Sequence, residues 1–312
     1  MDAIDYAKTY RPAGSPIQEV NDPELSNSGV RLLVKRDDLI HQHVSGNKWR
    51  KLKYNLSQAV QDGHHTILTF GGAYSNHIAA SSYACKKAGM ESIGIIRGED
   101  DATNPTLQFA REHGMHLEFV TRETYRVLTA EDASDNPFLQ ERFGRFFLVP
   151  EGGANGLGVR GCAEILTEVE EHFDVVCCAV GTATTLAGLS IALKEEQRLI
   201  GFPALKGGGF LMDDMGKLIA ASRLRAPSGV QCQLNTDHHF GGYAKVKPEL
   251  LRFISGFTER TGIPLDPIYT GKMMFGVYDL IVKGFFEKGT TILAIHTGGL
   301  QGWDGMRHRG LV

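Results

Sequence analysis

The sequence lacks several features that would each have announced a function. Its five cysteines, at 85, 162, 177, 178 and 232, form no CxxC pair and are odd in number. That argues against a disulfide scaffold and for a reducing, cytoplasmic compartment. No excess of one charge is present: 33 Lys+Arg against 36 Asp+Glu leave −3 over 312 residues. Nothing electrostatic therefore points to nucleic acid or an anionic membrane as a partner. The opening Met1-Asp2-Ala3-Ile4-Asp5-Tyr6 carries acids where a secretory leader has bases. The longest apolar stretch, Val175 to Leu193, is broken by Gly181-Thr182-Ala183-Thr184-Thr185. It reads as a strand, a loop and a helix rather than a membrane span. The histidine groups His64-His65, His238-His239 and His41-Gln42-His43 come without HExxH spacing or nearby acids, so no metal site is expected. No Gly-rich loop is followed by a Walker Lys-Ser/Thr pair, and no GxGxxG with a downstream acid stands out. Nucleoside triphosphates and dinucleotides therefore lose support.

What is present is an ordinary globular composition, 42% hydrophobic and 22% charged, with 37 glycines. The length exceeds what one compact core organises and predicts two domains or a domain with an insertion. Short apolar runs alternate with helix-length amphipathic segments, the pattern of an α/β protein. Strands are predicted at Arg31–Lys35, Thr66–Phe70, Ser92–Ile96, His116–Val120, Arg145–Val149, Asp174–Val180, Arg198–Phe202, Gly229–Leu234 and Thr290–Ile295. Helices are predicted to begin near Asn47, Ser75, Asn104, Gly158, Thr185, Gly209, Pro248 and Gly271. The run Val175-Val176-Cys177-Cys178-Ala179-Val180 is apolar at every position, as in a parallel sheet covered on both faces. Ligands of such sheets bind beyond the carboxyl ends of the strands.

Four predicted strand-to-helix junctions are rich in glycine and polar residues: 70–77, 151–158, 181–185 and 296–299. Any one of them could be a simple turn using glycine for positive φ. Four together at strand ends point to a ligand. Gly181-Thr182-Ala183-Thr184-Thr185 is the best anion site, because three hydroxyls join the amides at a helix start. Before it in the chain lies Ser45-Gly46-Asn47-Lys48-Trp49-Arg50-Lys51, with Asn47 as the expected N-cap. Lys48 and Lys51 are three apart and project from one face, whereas an ordinary lysine cluster is a solvated helix face. A lysine that forms Schiff bases must lose its proton near neutral pH, which burial and a neighbouring cation both promote. Pyridoxal 5′-phosphate needs such a lysine, an anion site, a donor to its ring oxygen and a partner for its ring nitrogen.

The set of motifs resembles the tryptophan-synthase-β-like, fold type II pyridoxal-phosphate enzymes, and more narrowly the 1-aminocyclopropane-1-carboxylate deaminase/D-cysteine desulfhydrase family. The resemblance runs from about Val34 to Gly299. It is carried by Lys35-Arg36-Asp37-Asp38, Ser45-Gly46-Asn47-Lys48, Gly71-Gly72 with Ser75-Asn76-His77, Pro150-Glu151-Gly152-Gly153, residues 181–185, Tyr269-Thr270-Gly271-Lys272 and His296-Thr297-Gly298-Gly299.

The resemblance implies two domains, each a mainly parallel sheet flanked by helices: a large cofactor domain over 1–49 and 152–312, and a small inserted domain over 50–151. It implies Lys48 as the Schiff-base lysine, Lys51 with Gly181, Thr182, Ala183, Thr184 and Thr185 around the phosphate, and Asn76 on the ring hydroxyl. Ser75, Asn76, His77 and Tyr269 would meet the substrate, with Lys48, Ser75 and Tyr269 as the catalytic set. The family is commonly a homodimer acting on a small amino acid.

Ring-opening deaminases of this family characteristically have Glu after the tyrosine and Leu after the late histidine. Here those positions are Thr270 and Thr297. A hydroxyl beside the ring nitrogen leaves a weaker electron sink than a carboxylate would. That favours the desulfhydrase branch, as does His77 where deaminases have Gln. The expectation is therefore β-elimination, D-cysteine giving pyruvate, ammonia and sulfide. The alternatives are the ring-opening deaminase and, from another class, a non-catalytic cofactor carrier. Two departures from the family stand out: Ala183 in place of Gly, and Tyr74 in place of Gln. Arg36-Asp37-Asp38 is expected to position loops by ion pairs, Cys177-Cys178 to lie in the core, and His296 to stand behind the site.

Overall fold

The computed structural model describes residues 15–130 and 133–312. Ten strands alternate with helices. The first stretch holds β1 (Ile17–Glu19), β2 (Arg31–Lys35), α1 (Asn47–Gln61), β3 (Thr66–Gly72), α2 (Asn76–Lys87), β4 (Glu91–Arg97), α3 (Pro105–Glu112) and β5 (Met115–Val120). There follow α4 (Arg122–Ala130), α5 (Pro137–Phe143), β6 (Phe147–Val149), α6 (Gly156–Thr167), β7 (Val175–Val180), α7 (Thr184–Ala192) and β8 (Arg198–Pro203). The chain closes with α8 (Leu211–Ser222), β9 (Gln231–Leu234), α9 (Pro248–Thr261), α10 (Thr270–Val282), β10 (Thr291–Ile295) and α11 (Gly302–His308).

These form two sheets. A six-stranded sheet runs β1-β2-β10-β7-β8-β9, parallel except for the antiparallel edge strand β1. A four-stranded sheet, β5-β4-β3-β6, is parallel throughout and uses only residues 66–149, between β2 and β7 of the larger sheet. The mixed α/β architecture with parallel sheets under helices is the one the alternating sequence pattern implies.

The two-residue period of a strand explains how the larger sheet is covered. Val175, Cys177 and Ala179 face one side with Ile254, Met273 and Val277 of α9 and α10. Val176, Cys178 and Val180 face the other with Cys162, Leu186 and Leu189 of α6 and α7. Every residue of β7 is buried, which is why its sequence shows no alternation. Both cysteines lie in this core, and all five are free thiols. In α1, Trp49, Leu52 and Leu56 pack with Ile67, Ala80 and Val149 of the smaller sheet and α2. Among the described residues, no helix is long and apolar enough to cross a membrane.

Asn47 is not the cap of α1 but its first residue. The capping position is Gly46, at φ 60°. A side chain there is excluded, since a Cβ would come within 2.0 Å of the Thr297 carbonyl oxygen. That close approach seats the loop before α1 directly on the loop after β10, where Asn47 N donates to Thr297 O at 3.2 Å.

Candidate active site

The carboxyl ends of β3, β7 and β10 open onto one cavity of about 650 Å³. Its wall includes Lys48, Ser75, Asn76, Thr182, Tyr269 and Thr297. Five segments distant in sequence therefore meet where the sheet topology predicts a ligand.

Lys48 and Lys51 project from the first turn of α1. Lys48 Nζ donates to Asn47 Oδ1 at 3.1 Å, and Asn47 Nδ2 donates to Thr185 Oγ1 at 3.1 Å. Lys51 Nζ reaches Thr182 Oγ1 at 3.4 Å. Neither amine forms an ion pair with a described carboxylate, although Lys51 is only 3% exposed. A buried cation without a counter-ion is costly, and the cost falls as it loses its proton or gains an anion. Burial, then the charge of Lys51, brings the Lys48 amine down to about 7. Burial lowers Lys51 as well.

The β7–α7 turn faces these amines. Ala183, at φ 56°, takes a left-handed conformation that favours glycine, and α7 starts at Thr184 without a side-chain cap. Its first amides are thus left for a ligand. Thr182 and Thr184 hydroxyls lie 3.2 Å apart. Gly152 and Gly153, both at positive φ, let the next loop press on this turn and on Lys51: a Cβ on Gly152 would stand 2.9 Å from Thr182, and one on Gly153 3.0 Å from Lys51. Oxygen and nitrogen donors around two unpaired amines make a site for a tetrahedral oxyanion.

Across the cavity, Ser75 caps α2, its Oγ accepting from His77 N at 3.2 Å and Ile78 N at 3.3 Å. The hydroxyl keeps its own hydrogen to donate into the cavity. An oxygen already accepting two N–H groups is a poor base and a good donor. Asn76 follows as the first helical residue, its amide against Gly299, where a Cβ would lie 3.0 Å from Nδ2. His77 is buried, with Nε2 2.9 Å from Thr69 Oγ1. That hydroxyl donates to Val149 O at 2.7 Å, so it receives from His77 and fixes the hydrogen on Nε2. The Nδ1 lone pair is left with no partner. Burial, then Lys48 and Lys51, push this imidazole well below its ordinary pKa, so it is neutral.

Tyr269 precedes α10, and its ring edge faces the 181–185 turn: a Cβ on Gly181 would meet Cε1 at 3.2 Å. Burial, then Tyr243, hold its phenol well above the usual range. It stays protonated as a donor.

The two threonines expected at the ring nitrogen separate. Thr297 borders the cavity. The Thr270 hydroxyl instead donates to Asp266 Oδ2 at 2.5 Å and accepts from Asp266 N at 3.0 Å. It belongs to the turn that shapes Tyr269 and is not free for a ligand.

Sequence reasoning missed three parts of this site. Asp266 is fully buried and accepts from the amides of Ile268, Tyr269 and Thr270, which sets the entry into α10. Its spacing from Tyr269 is an Asx-turn signal that could have been read. Tyr243 stands T-shaped to Tyr269 with centroids 6.0 Å apart. The only signal for it is the preceding Gly241-Gly242 pair. Arg50, between the two lysines, is held by Asp37 and Glu168 behind the site. The expected ion pairing of 36–38 is completed by Arg36 with Asp38 at 2.8 Å. His296 lies behind the cavity, Nε2 donating to Pro264 O at 2.6 Å. Among the described residues no cluster of His, Cys, Asp and Glu could hold a metal.

Comparison with known proteins identifies the family. Residues 10–298 match the family described as pyridoxal-phosphate dependent enzyme. A Pyrococcus horikoshii protein provisionally named a 1-aminocyclopropane-1-carboxylate deaminase is 34% identical over 305 residues, covering 93% of this chain and 91% of that one. The Arabidopsis thaliana mitochondrial bifunctional D-cysteine desulfhydrase/1-aminocyclopropane-1-carboxylate deaminase is 31% identical, covering 92% of this chain and 77% of that one. The crystal structure of an ACC deaminase homologue superposes with a TM-score of 0.83 at 29% identity, covering 99% of both chains.

Proposed function

Because the chain belongs to the pyridoxal-phosphate dependent enzymes, we propose that it eliminates a β-substituent from a small amino acid, D-cysteine fitting best. The residues present suit the cofactor: two cavity-lining amines without carboxylates, a turn of amides and hydroxyls beside them, and a neutral donor and acceptor set opposite. Lys51, Thr182, Thr184, Thr185 and the amides of 181–185 would hold the phosphate. Asn76 would meet the ring hydroxyl, and Thr297 the ring nitrogen. When bound, the cofactor supplies an aldehyde for the substrate amine and a ring that accepts the electron pair left at Cα.

The chain's own groups do the rest. Ser75 donates its free hydrogen to the substrate carboxylate, which fixes the amino acid in the cavity. Lys48, whose amine loses its proton at about 7, takes the Cα proton. Tyr269 covers the substrate from the other wall with a protonated phenol. The Cα–H and Cβ–S bonds break, and the sulfur leaves with the electron pair and takes up a proton as sulfide. Water then completes the balance: cysteine and one water yield pyruvate, ammonia and hydrogen sulfide.

The observation that carries this reading is Thr297, a hydroxyl-bearing residue, on the cavity wall, where a ring-opening deaminase of the resembled family has leucine. With Thr270 committed to Asp266, no carboxylate takes the deaminase glutamate's place in the chain. Such a weak sink suits a good leaving group. The test is to offer both enantiomers of cysteine, serine and 3-chloroalanine, together with 1-aminocyclopropane-1-carboxylate, and to quantify the oxoacid. Pyruvate from D-cysteine without 2-oxobutanoate from the cyclopropane is expected. Comparable 2-oxobutanoate release would overturn the elimination reading in favour of ring opening.

A further inference from the structure

Lys272, the fourth residue of the Tyr269-Thr270-Gly271-Lys272 motif, is absorbed by none of the roles above. It is 2% exposed. It forms no ion pair with a described carboxylate. Its ammonium instead donates to three backbone carbonyls: Ala204 O at 3.3 Å, His239 O at 3.0 Å and Gly242 O at 2.8 Å. All three N–H groups are thereby used.

The carbonyls come from two separate pieces of chain. Ala204 follows β8, and His239 and Gly242 belong to the connection between β9 and α9. That connection is strained: Phe240 and Ala244 sit at φ 53°, Gly241 at 97° and Gly242 at 120°. Left-handed backbone at two non-glycine residues persists only where surroundings enforce it. His239 O and Gly242 O also accept from Gly242 N and Lys245 N, so the ammonium closes an already folded loop. The loop matters to the site because Tyr243 lies against Tyr269, and Ala244 and Lys245 line the cavity. Phe240 supplies a second anchor, edge-on to Phe275 at 4.9 Å.

Buried carbonyl oxygens converging on one point repel each other unless a cation lies between them. Carbonyl cages of this kind strip and hold dissolved monovalent cations. We propose that the Lys272 ammonium is a built-in monovalent cation, filling a carbonyl cage and thereby positioning Tyr243 against Tyr269. Lys272 is a positioning residue, and its role does not depend on which amino acid is turned over. Burial lowers its amine to about 8, so the cage is charged at neutral pH and loosens above it.

The test uses cofactor-loaded wild type, Lys272→Met and Lys272→Ala in sodium, potassium, ammonium and tetramethylammonium chloride. Hydrogen exchange of amides 240–245 is read beside kcat and KM for whichever amino acid is turned over. Wild type should be indifferent to the salt. Lys272→Ala in sodium or tetramethylammonium should exchange those amides about tenfold faster or more, and potassium or ammonium should restore them to within about twofold. Lys272→Met, which keeps the volume and blocks the cage, should show the same loss without rescue. Unchanged loop exchange in both variants, rescue that does not discriminate among the cations, or a potassium requirement in wild type would overturn the proposal. Should the variants fail to fold in sodium, refolding of Lys272→Ala in ammonium or potassium alone supports it, and failure in every salt refutes it.

Discussion

Three cations stand within one turn of α1, Arg50 and Lys51 buried and Lys48 half-buried on the cavity, and they meet two fates. Arg50 is gripped through Nε and Nη2 by Asp37 at 3.0 and 3.1 Å and again by Glu168. Burial opposes its charge, but Glu168 and Asp37 more than offset it, and its pKa is raised. Lys48 and Lys51, on either side, have only neutral oxygens, and burial lowers both. The difference teaches how to separate a cation that holds the fold from one reserved for a ligand. Burial is common to both, and a carboxylate partner is not. The paired arginine locks α1 to α6 through Glu168, which aims the two unpaired lysines into the cavity.

The comparison breaks most visibly at Lys48. Lys48→Ala should lower kcat for elimination by about a thousandfold or more, read as pyruvate release, because it removes both the attachment point and the proton acceptor. Next comes the arginine. Arg50→Met strands Asp37, which is fully buried, with Lys35 at 3.5 Å as its remaining counter-ion. It should cost about 3–5 kcal/mol in urea unfolding of the cofactor-free protein. Lys51→Met should do the reverse. It should leave the cofactor-free protein no less stable while weakening cofactor binding by about 10- to 100-fold in a titration. A destabilised Lys51→Met beside an unaffected Arg50→Met would show that the pairing does not divide the roles.

The smallest effect is on pH. The folded Lys48 amine titrates near 7 and the unfolded one near 10.5. Between those values the unfolded chain binds more protons, so stability of the cofactor-free protein rises with pH across that window. The penalty is fully present below 7 and gone above 10.5. Melting of the Lys48→Met variant should show a flatter rise from pH 7 to pH 9, by a few degrees in Tm. An unchanged slope would mean that Lys48 is not desolvated.

Much of this was legible in the chain. β2 occupies the predicted Arg31–Lys35, and the long parallel strands and their following helices begin within a few residues of their signals. Continuous apolar runs and glycine turns are local, and they mark buried strands and their ends. β1, three residues long, pairs only at the sheet edge and leaves no pattern. α4 buries only Tyr125 and Leu128, too few for a helical stripe. α5 did carry a readable start, the Asn136-Pro137 cap pair. At the site, residue types named the lysines, Ser75, Asn76 and the threonine turn as a group. What they could not convey was which hydroxyl was already engaged. Thr270 and Thr297 look equivalent in sequence, and only the fold shows Asp266 claiming the first. The left-handed Ala183 and the carbonyls around Lys272 are likewise products of tertiary contact.

The central claim is that Lys48, and no other amine, carries the cofactor. Borohydride reduction of the loaded protein followed by peptide mapping tests it directly. The account predicts the cofactor's mass on the peptide containing Lys48, with Lys51 and Lys272 unmodified. Label on Lys51 or Lys272, or none on any lysine of the loaded protein, would contradict it.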